Sequence, residues 1–113
     1  MHELSLAQSV LEIVDKEMTR HNGKELKAVT LTVGERAGVE LNTFRTAIDA
    51  VLRSSRWHDA VAKIDIVPSR AQCIACGVEF HPCGAVIECP ECGSGACGII
   101  AGMEFRVSSL TIE

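Results

Sequence analysis

Four of the six cysteines in this 113-residue sequence occur in two Cys-x-x-Cys motifs, each followed by glycine. The motifs read Cys73-Ile74-Ala75-Cys76-Gly77 and Cys89-Pro90-Glu91-Cys92-Gly93. Two such motifs separated by a short loop are typical of a structural zinc site with four thiolate ligands. We expect the first cysteine of each motif to end an extended segment, after which the chain turns and brings the second cysteine to the same ion. Gly77 and Gly93 suit that turn because glycine accepts positive φ, which lets backbone N–H groups point at the sulfurs.

The cysteine motifs leave other chemistry open. A redox motif of the thioredoxin kind needs only one Cys-x-x-Cys at a helix start, so two would be superfluous. The spacing alone also accommodates an iron–sulfur cluster. Disulfides are disfavoured because Met1-His2-Glu3 does not begin a secretion signal. Structural zinc is the preferred interpretation, since a small segment with few apolar residues needs a metal to fold.

Three further residues near the motifs could do chemistry. Cys83 and Cys97 lie outside the doubled spacing, and His81 precedes Cys83 by two residues. The favoured interpretation is two free thiols and a surface histidine, and the alternative is a second metal site. We do not expect Cys83 or Cys97 to replace a zinc ligand, because only the cysteines of the two paired motifs have the Cys-x-x-Cys spacing.

The N-terminus offers a second set of ligands. The α-amine of Met1, the backbone nitrogen of His2 and its imidazole form a contiguous chelate, and nitrogen sets of this tetragonal kind suit Ni(II) or Cu(II). A bulky second residue keeps Met1 in place, so the separation of amine and imidazole is fixed by the sequence. The alternative is a solvated side chain that binds no metal, as most histidines near a terminus are.

Two amphipathic helices are predicted around these ligands. The first spans residues 4–21 and ends at Asn22-Gly23, and the second has Asn42 or Thr43 as its N-cap. Their apolar faces consist of Leu4, Ala7, Val10, Leu11, Val14 and Met18 in the first helix and of Phe44, Ala47, Ile48, Val51 and Leu52 in the second.

Three strands are predicted from alternating apolar residues. A half-buried strand spans 27–33, a second spans 62–67 and ends at Pro68, and a third spans 103–112. The apolar phase of the third strand slips near Ser108-Ser109, which predicts a bulge there. The strands that enter and leave the cysteine segment are expected to be antiparallel neighbours.

These elements predict an α+β fold, in which a small sheet of about three strands packs against two amphipathic helices. A zinc-ribbon-like module with four cysteines is inserted into it. Residues 1–68 plus 103–113 form the predicted α/β domain, and residues 69–102 form the predicted zinc-binding domain.

Charge and hydropathy exclude several classes of function. The net charge of −4 and a pI near 5.5 argue against a general nucleic-acid binder, which presents a basic stripe to phosphates. Within residues 70–97, Arg70 is the only Lys or Arg, against Glu79, Glu88 and Glu91. Charges interrupt every apolar run before it could span a membrane. We therefore expect a cytoplasmic protein that binds neither nucleic acid nor membranes.

The sequence resembles the HypA/HybF family of nickel metallochaperones for hydrogenase maturation over nearly its whole length. The segments that carry the resemblance are Met1-His2-Glu3-Leu4-Ser5-Leu6, Gly34-Glu35-Arg36-Ala37-Gly38-Val39-Glu40 and the paired cysteine motifs. The combination of an N-terminal Met-His-Glu with a four-cysteine module is far more specific than either part.

The resemblance implies a function and a set of site residues. His2 becomes the essential nickel ligand, with the amine of Met1 and the backbone and side chain of Glu3 nearby, in a nickel-binding α/β domain. Structural Zn(II) is bound by the four cysteines of the paired motifs: Cys73, Cys76, Cys89 and Cys92. Ni(II) is the cargo, delivered with the GTPase HypB to the large subunit of [NiFe]-hydrogenase, and some members also serve urease maturation. The protein is then no enzyme, and either a monomer or a homodimer.

The sequence departs from the family pattern in the zinc domain. Some relatives have a further histidine in the zinc domain, whereas His81 is the only one here. Cys83 and Cys97 are not part of the general pattern, and the nickel sphere could be completed by His81, His58 or water. The alternative function is a zinc-ribbon protein-interaction module without nickel transfer. A metalloenzyme is disfavoured because a closed four-thiolate site leaves no open position for a substrate.

Overall fold

The computed structural model describes residues 2–113, so Met1 lies outside the described residues. These residues form two helices and six strands, arranged as two three-stranded sheets with the orders β2-β1-β6 and β4-β3-β5. The α+β fold predicted from the sequence is confirmed, and the sheet within the cysteine segment was not predicted. The elements in chain order are α1 Glu3–Thr19, β1 Leu26–Gly34, α2 Leu41–Arg53, β2 Val61–Val67, β3 Arg70–Cys73, β4 Glu79–Phe80, β5 Cys97–Ala101 and β6 Phe105–Ile112.

Helix α1 buries one face, formed by Ala7, Val10, Val14 and Met18. Leu4 was expected on the same face but is 55% exposed, because Glu3, which is 4% exposed, occupies that face one turn before Ala7. The helix also ends at Thr19, two residues before the predicted end. The N–H groups of Arg20 and His21 bond to the carbonyls of Glu17 and Met18, which forms a tighter last turn ahead of Gly23.

Helix α2 is capped by a residue that the sequence did not indicate. Its N-cap is Glu40, whose Oε1 accepts hydrogen bonds from the backbone N–H and the hydroxyl of Thr43, at 3.0 and 2.9 Å. The predicted caps, Asn42 and Thr43, are wrong because they lie inside the first turn. The buried face consists of Phe44, Ile48 and Leu52, as expected, and α1 packs against α2.

Strand β1 is the central strand of the first sheet and is buried on both faces. Val29, Leu31 and Val33 are buried as predicted, but so are Ala28 and Thr32 on the opposite face. The prediction of a half-buried strand is therefore wrong. The strands that enter and leave the cysteine segment, β2 and β6, are not neighbours, because β1 lies between them. A central strand has a neighbouring strand along each edge, and the side chains of both neighbours shield its own.

The apolar phase of β6 changes at Ser108 and Ser109, which are both exposed, as the sequence indicates. Strand β6 pairs with β1. At one end of this pair Glu25 and Glu113 exchange two backbone hydrogen bonds, and at the other end Gly34 N–H donates to the carbonyl of Glu104. The same number of residues separates these two contacts on β1 and on β6. A bulge confined to β6 would add one residue to β6 between them, and no such net extra residue is present. Strand β1 is buried in both side-chain phases from Ala28 to Gly34, except at the half-buried Thr30.

The chain divides into two compact units. The first contains residues 1–32, 39–65 and 106–113, and the second contains residues 33–38 and 66–105. The assignment of nickel binding to 1–68 plus 103–113 and of zinc binding to 69–102 stays a prediction. Across residues 2–113 neither helix combines the length and the hydropathy needed to cross a membrane.

The core of the first unit predicts a large stability difference between two matched substitutions. Ile48 in α2 is fully buried, whereas Ile13 in α1 is 50% exposed. We expect Ile48→Ala to lower the free energy of unfolding by about 2 to 5 kcal/mol, because it leaves a cavity. Ile13→Ala should change it by less than about 1 kcal/mol. Urea denaturation followed by circular dichroism measures both, and equal effects would contradict this core.

Candidate metal centre

Four cysteine sulfurs converge in the second unit. The Sγ atoms of Cys73, Cys76, Cys89 and Cys92 all lie within 4.8 Å of one another, and the Cys73–Cys92 and Cys76–Cys89 separations are each 3.6 Å. Zinc–sulfur bonds of about 2.3 Å in a tetrahedron give sulfur–sulfur edges of about 3.8 Å. The donor set and its dimensions therefore fit a tetrahedral zinc ion bound by four thiolates.

The first pair of sulfurs is positioned by a tight turn. Cys73 is the last residue of β3. The N–H of Gly77 then donates to the carbonyl of Cys73 at 2.8 Å, and the N–H of Cys76 donates to the Cys73 sulfur at 3.4 Å. Gly77 has a φ of +83°, as its place in the motif predicted. The hydrogen bond from Cys76 N–H lowers the pKa of the Cys73 thiol to about 6.

The second pair repeats the same turn. Gly93 N–H donates to the carbonyl of Cys89 at 2.9 Å, and the N–H groups of Glu91 and Cys92 both donate to the Cys89 sulfur at 3.4 Å. Gly93 has a φ of +76°. Each first cysteine is buried and each second cysteine is exposed, so the cluster lies at the surface of the unit with two sulfurs shielded.

The other two cysteines have different surroundings. Cys83 is exposed. Cys97 is half-buried, and its thiol donates to the carbonyl of Ser94 at 3.5 Å. Burial raises the pKa of the Cys97 thiol, and the negative charge of nearby Cys73 raises it further. Among residues 2–113 the four-cysteine cluster is the one group of three or more close Cys, His or acidic ligands, so Cys83, Cys97 and His81 form no second site there.

Sequence reasoning assigned no role to Glu35, which organises the cysteine segment within its unit. Its Oε1 accepts hydrogen bonds from the N–H of Ser69 at 2.8 Å and the hydroxyl of Ser69 at 2.6 Å, and lies 3.0 Å from Nε2 of His81. The Ser69 side chain, the Ser69 N–H and His81 together lower the pKa of the Glu35 carboxyl to about 2. Glu35 therefore joins the start of β3 to the loop after β4.

Arg36 holds the same loop through its guanidinium. Its Nη2 donates to the carbonyls of Pro82 and Gly84, at 3.4 and 2.8 Å. The preceding Gly34 must be glycine, because a Cβ there would collide with the carbonyl of Gly102. The sequence signal for these contacts was the charged pair Glu35-Arg36 directly after a buried strand. Their hydrogen-bond partners could not be read from it, because these lie more than thirty residues away along the chain.

The residues predicted to bind nickel lie at the start of α1, except Met1, which is outside the described residues. His2 is exposed and is the N-cap of α1, and its carbonyl accepts the first helical hydrogen bond, from Leu6 N–H at 2.9 Å. Glu3 is only 4% exposed, and its Oε2 accepts the N–H of Glu40 at 3.1 Å. His58 pairs with Asp59 and His81 pairs with Glu35.

A helix-and-sheet unit together with a closed cluster of four thiols defines a small metal-binding protein. A family model described as "Hydrogenase/urease nickel incorporation, metallochaperone, hypA" matches residues 1–112. Relatives named hydrogenase maturation factor HypA, from Geobacter metallireducens and Alkalilimnicola ehrlichii, are 36% and 34% identical over 113 residues, which is 100% of both chains in each case. The chain belongs to the HypA family of metallochaperones for nickel incorporation into hydrogenase or urease.

Solved structures have the same fold. The solution structure of a HypA protein superposes with a TM-score of 0.72 at 24% identity, covering 100% of this chain and 97% of that chain. The solution structure of the nickel metallochaperone HypA from Helicobacter pylori gives a TM-score of 0.65 at 25% identity, covering 97% and 96% of the two chains. The resemblance that the sequence indicated is therefore confirmed.

The contacts of Glu35 predict a pH-dependent contribution to the second unit. Glu35→Ala removes the acceptor of the buried Ser69 and should lower the melting temperature and speed hydrogen exchange at the Ser69 amide. Because the pKa of Glu35 falls from 4.5 to about 2, its stabilising effect is complete above about pH 4.5 and disappears as the pH falls through about 2.

A matched control for this variant lies in the same unit. Glu79→Ala removes an exposed carboxylate. Among the ion pairs of the described residues, this carboxylate has one partner, the exposed side chain of Arg70 at 3.4 Å. We expect little change, because exposed ion pairs contribute little. Nuclear magnetic resonance of both zinc-loaded variants at pH 7 makes the comparison. Equal exchange at Ser69 in Glu35→Ala and wild type would contradict the assigned role.

Proposed function

We propose that this chain is a nickel metallochaperone that binds Ni(II) at Met1, His2 and Glu3 and binds structural Zn(II) at Cys73, Cys76, Cys89 and Cys92. With a HypB-type GTPase it delivers nickel to the large subunit of [NiFe]-hydrogenase, or to the maturation proteins of urease, in the cytoplasm. The observation that carries the proposal is the family match across residues 1–112, which includes both ligand sets. The protein catalyses no reaction of its own.

The four-cysteine cluster supports a structural role for zinc. All four positions of a tetrahedral ion would be filled by sulfur, which leaves none open for a substrate or for exchange. The strands around it are short, since β3 has 4 residues, β4 has 2 and β5 has 5. So little sheet buries little apolar surface, and the metal supplies the free energy that apolar burial does not.

The N-terminus supports a transferable nickel ion. The carbonyl of His2 is committed to α1, but the first N–H groups of a helix have no partner within it, so the His2 amide nitrogen is available as a ligand. Its imidazole is exposed. The positive end of the helix dipole disfavours a cation there, while the carboxylates of Glu3 and Glu40 favour it. A site of few ligands on an exposed terminus can release its ion to a stronger one.

Glu3 has a second task in this proposal. Its carboxylate accepts the backbone N–H of Glu40, which is the N-cap of α2, and is almost fully buried. That contact holds the starts of the two helices together. Nickel coordination by the Glu3 side chain would have to share the carboxylate with this N–H, whereas coordination by backbone nitrogen would not.

Metal analysis tests the zinc assignment. Protein purified under reducing conditions should contain one zinc per chain, and Cys89→Ser should lose it, whereas Cys83→Ser should retain it because Cys83 lies outside the cluster. Chelation of the zinc should abolish the dispersed amide resonances of residues 66–105. An equal zinc content in the two variants, or a module that stays folded without metal, would contradict a structural zinc site.

Titration of tag-free protein with Ni(II) tests the nickel assignment. We expect His2→Ala to weaken nickel binding by at least about 100-fold. Removing a residue that only hydrogen-bonds to a metal ligand already costs up to about 100-fold in metal affinity, and loss of the ligand itself should cost at least as much. Zinc content and circular dichroism should not change. His21→Ala is the matched control, because His21 is also exposed but lies just after the end of α1.

The amine is tested by extending the chain. One residue added before Met1 converts the α-amine into an amide and should weaken nickel binding, and equal affinity would remove the amine from the ligand set. Retained nickel affinity in His2→Ala would overturn the nickel site itself. Zinc binding with no nickel binding at all would favour the alternative, a zinc-ribbon interaction module.

A further inference from the structure

Cys97, one of the two cysteines outside the four-cysteine cluster, lies directly across a strand pair from the proposed zinc ligand Cys73. In the antiparallel pairing of β3 and β5, Cys73 and Cys97 are opposite each other. The next pair along, Ile74 and Ala96, is joined by a hydrogen bond from Ile74 N–H to the Ala96 carbonyl at 2.8 Å. Since hydrogen-bonded pairs alternate with non-hydrogen-bonded ones, Cys73 and Cys97 occupy a non-hydrogen-bonded position.

The backbone hydrogen bonds of the two cysteines agree with that position. Cys73 N–H points away from β5 and donates to the carbonyl of Val78 at 3.0 Å. Cys97 N–H donates to the carbonyl of Gly95 in its own segment, also at 3.0 Å. At a non-hydrogen-bonded position the opposing Cα atoms approach to about 4.5 Å and the two side chains lie on the same face. A disulfide needs a Cα separation of about 4.4 to 6.8 Å. The two thiols can therefore be joined without moving either strand far.

We propose that Cys97 and Cys73 form a reversible disulfide when a peroxide oxidises the protein, and that this disulfide releases the zinc. The proposal rests on the proposed zinc site. Cys97 is not a ligand of the proposed zinc ion and its side chain is half-buried, whereas Cys73 is only 1% exposed. Of these two thiols, Cys97 is therefore the one that a small oxidant such as hydrogen peroxide reaches more readily.

The chemistry balances in two steps. The Cys97 sulfur attacks one oxygen of hydrogen peroxide, the O–O bond breaks, and hydroxide leaves and takes the thiol proton as water, which leaves a sulfenic acid. The Cys73 thiolate then attacks the Cys97 sulfur, the S–O bond breaks, and the departing hydroxide is protonated by solvent. The two thiols give up two electrons, and the peroxide is reduced to two molecules of water.

The consequence for the metal follows from the ligand count. Cys73 in a disulfide offers no thiolate, so three sulfurs remain and the closed tetrahedral site is lost. Reduction by a dithiol restores Cys73 and allows zinc to return. Cys83 is a built-in comparison, because it is a free thiol of the same unit that lies outside the cluster and is not paired across a strand.

Zinc release from the reduced, zinc-loaded chain tests the proposal. A few equivalents of hydrogen peroxide should release zinc from wild type, as read by a chromogenic chelator, and dithiothreitol with added zinc should reverse the loss. Cys97→Ser should release zinc at least about fivefold more slowly, because the attacking thiol is gone. Cys83→Ser should behave as wild type.

Disulfide mapping gives a readout that does not depend on zinc. Cleavage after Glu79 and Glu91 places Cys73 and Cys97 on different peptides, and fragmentation of the linked peptides assigns the sulfurs. A Cys73–Cys97 link supports the proposal. A Cys73–Cys76 or Cys89–Cys92 link, or equal zinc release by Cys97→Ser and wild type, overturns it. Zinc-free starting protein would instead overturn the zinc site, and the mapping would still decide the thiol pair.

Discussion

The convergence of four cysteine sulfurs constrains the second unit more than any other contact. Two sulfur pairs are only 3.6 Å apart. Thiolates at this separation repel one another strongly in a partly desolvated site, so they must be neutralised by protons or by a cation. Three backbone N–H groups aimed at Cys73 and Cys89 supply part of that stabilisation. A divalent ion supplies the rest in the proposed zinc-bound state, and the short strands around the cluster then need little apolar burial.

A second constraint is the way Glu35 and Arg36 hold the cysteine segment. Both follow β1 directly. The Glu35 carboxylate binds Ser69, just before β3, and the Arg36 guanidinium binds the loop after β4. The Glu35 carboxylate uses one oxygen for three partners, which keeps it ionised and leaves the buried Ser69 hydrogen-bonded. The geometry of the cysteine segment thus depends on one turn that contributes no ligand to the proposed metal site.

The two proposed metal sites differ in the way their function demands. The cluster of sulfurs is closed, shielded on one side and held by hydrogen-bonded turns, which suits an ion that stays. The N-terminal site lies at the positive end of a helix, with an exposed imidazole, which suits an ion that is passed on. Cys97, next to the first site, adds an oxidisable thiol to a site that is otherwise inert, and would connect the redox state of the protein to the integrity of its scaffold.

The sequence by itself determined the family, the α+β fold, the two helices and the four cysteines that come together. Those features are encoded locally, because helical periodicity, Cys-x-x-Cys spacing and glycine after a cysteine each act within a few residues. The central place of β1, the N-cap role of Glu40 and the exposure of Leu4 were decided by tertiary structure. The same holds for the contacts of Glu35 and the position of Cys97 opposite Cys73. Each of these depends on which strand or loop lies beside a residue, and pairing between distant segments leaves no local pattern in the chain.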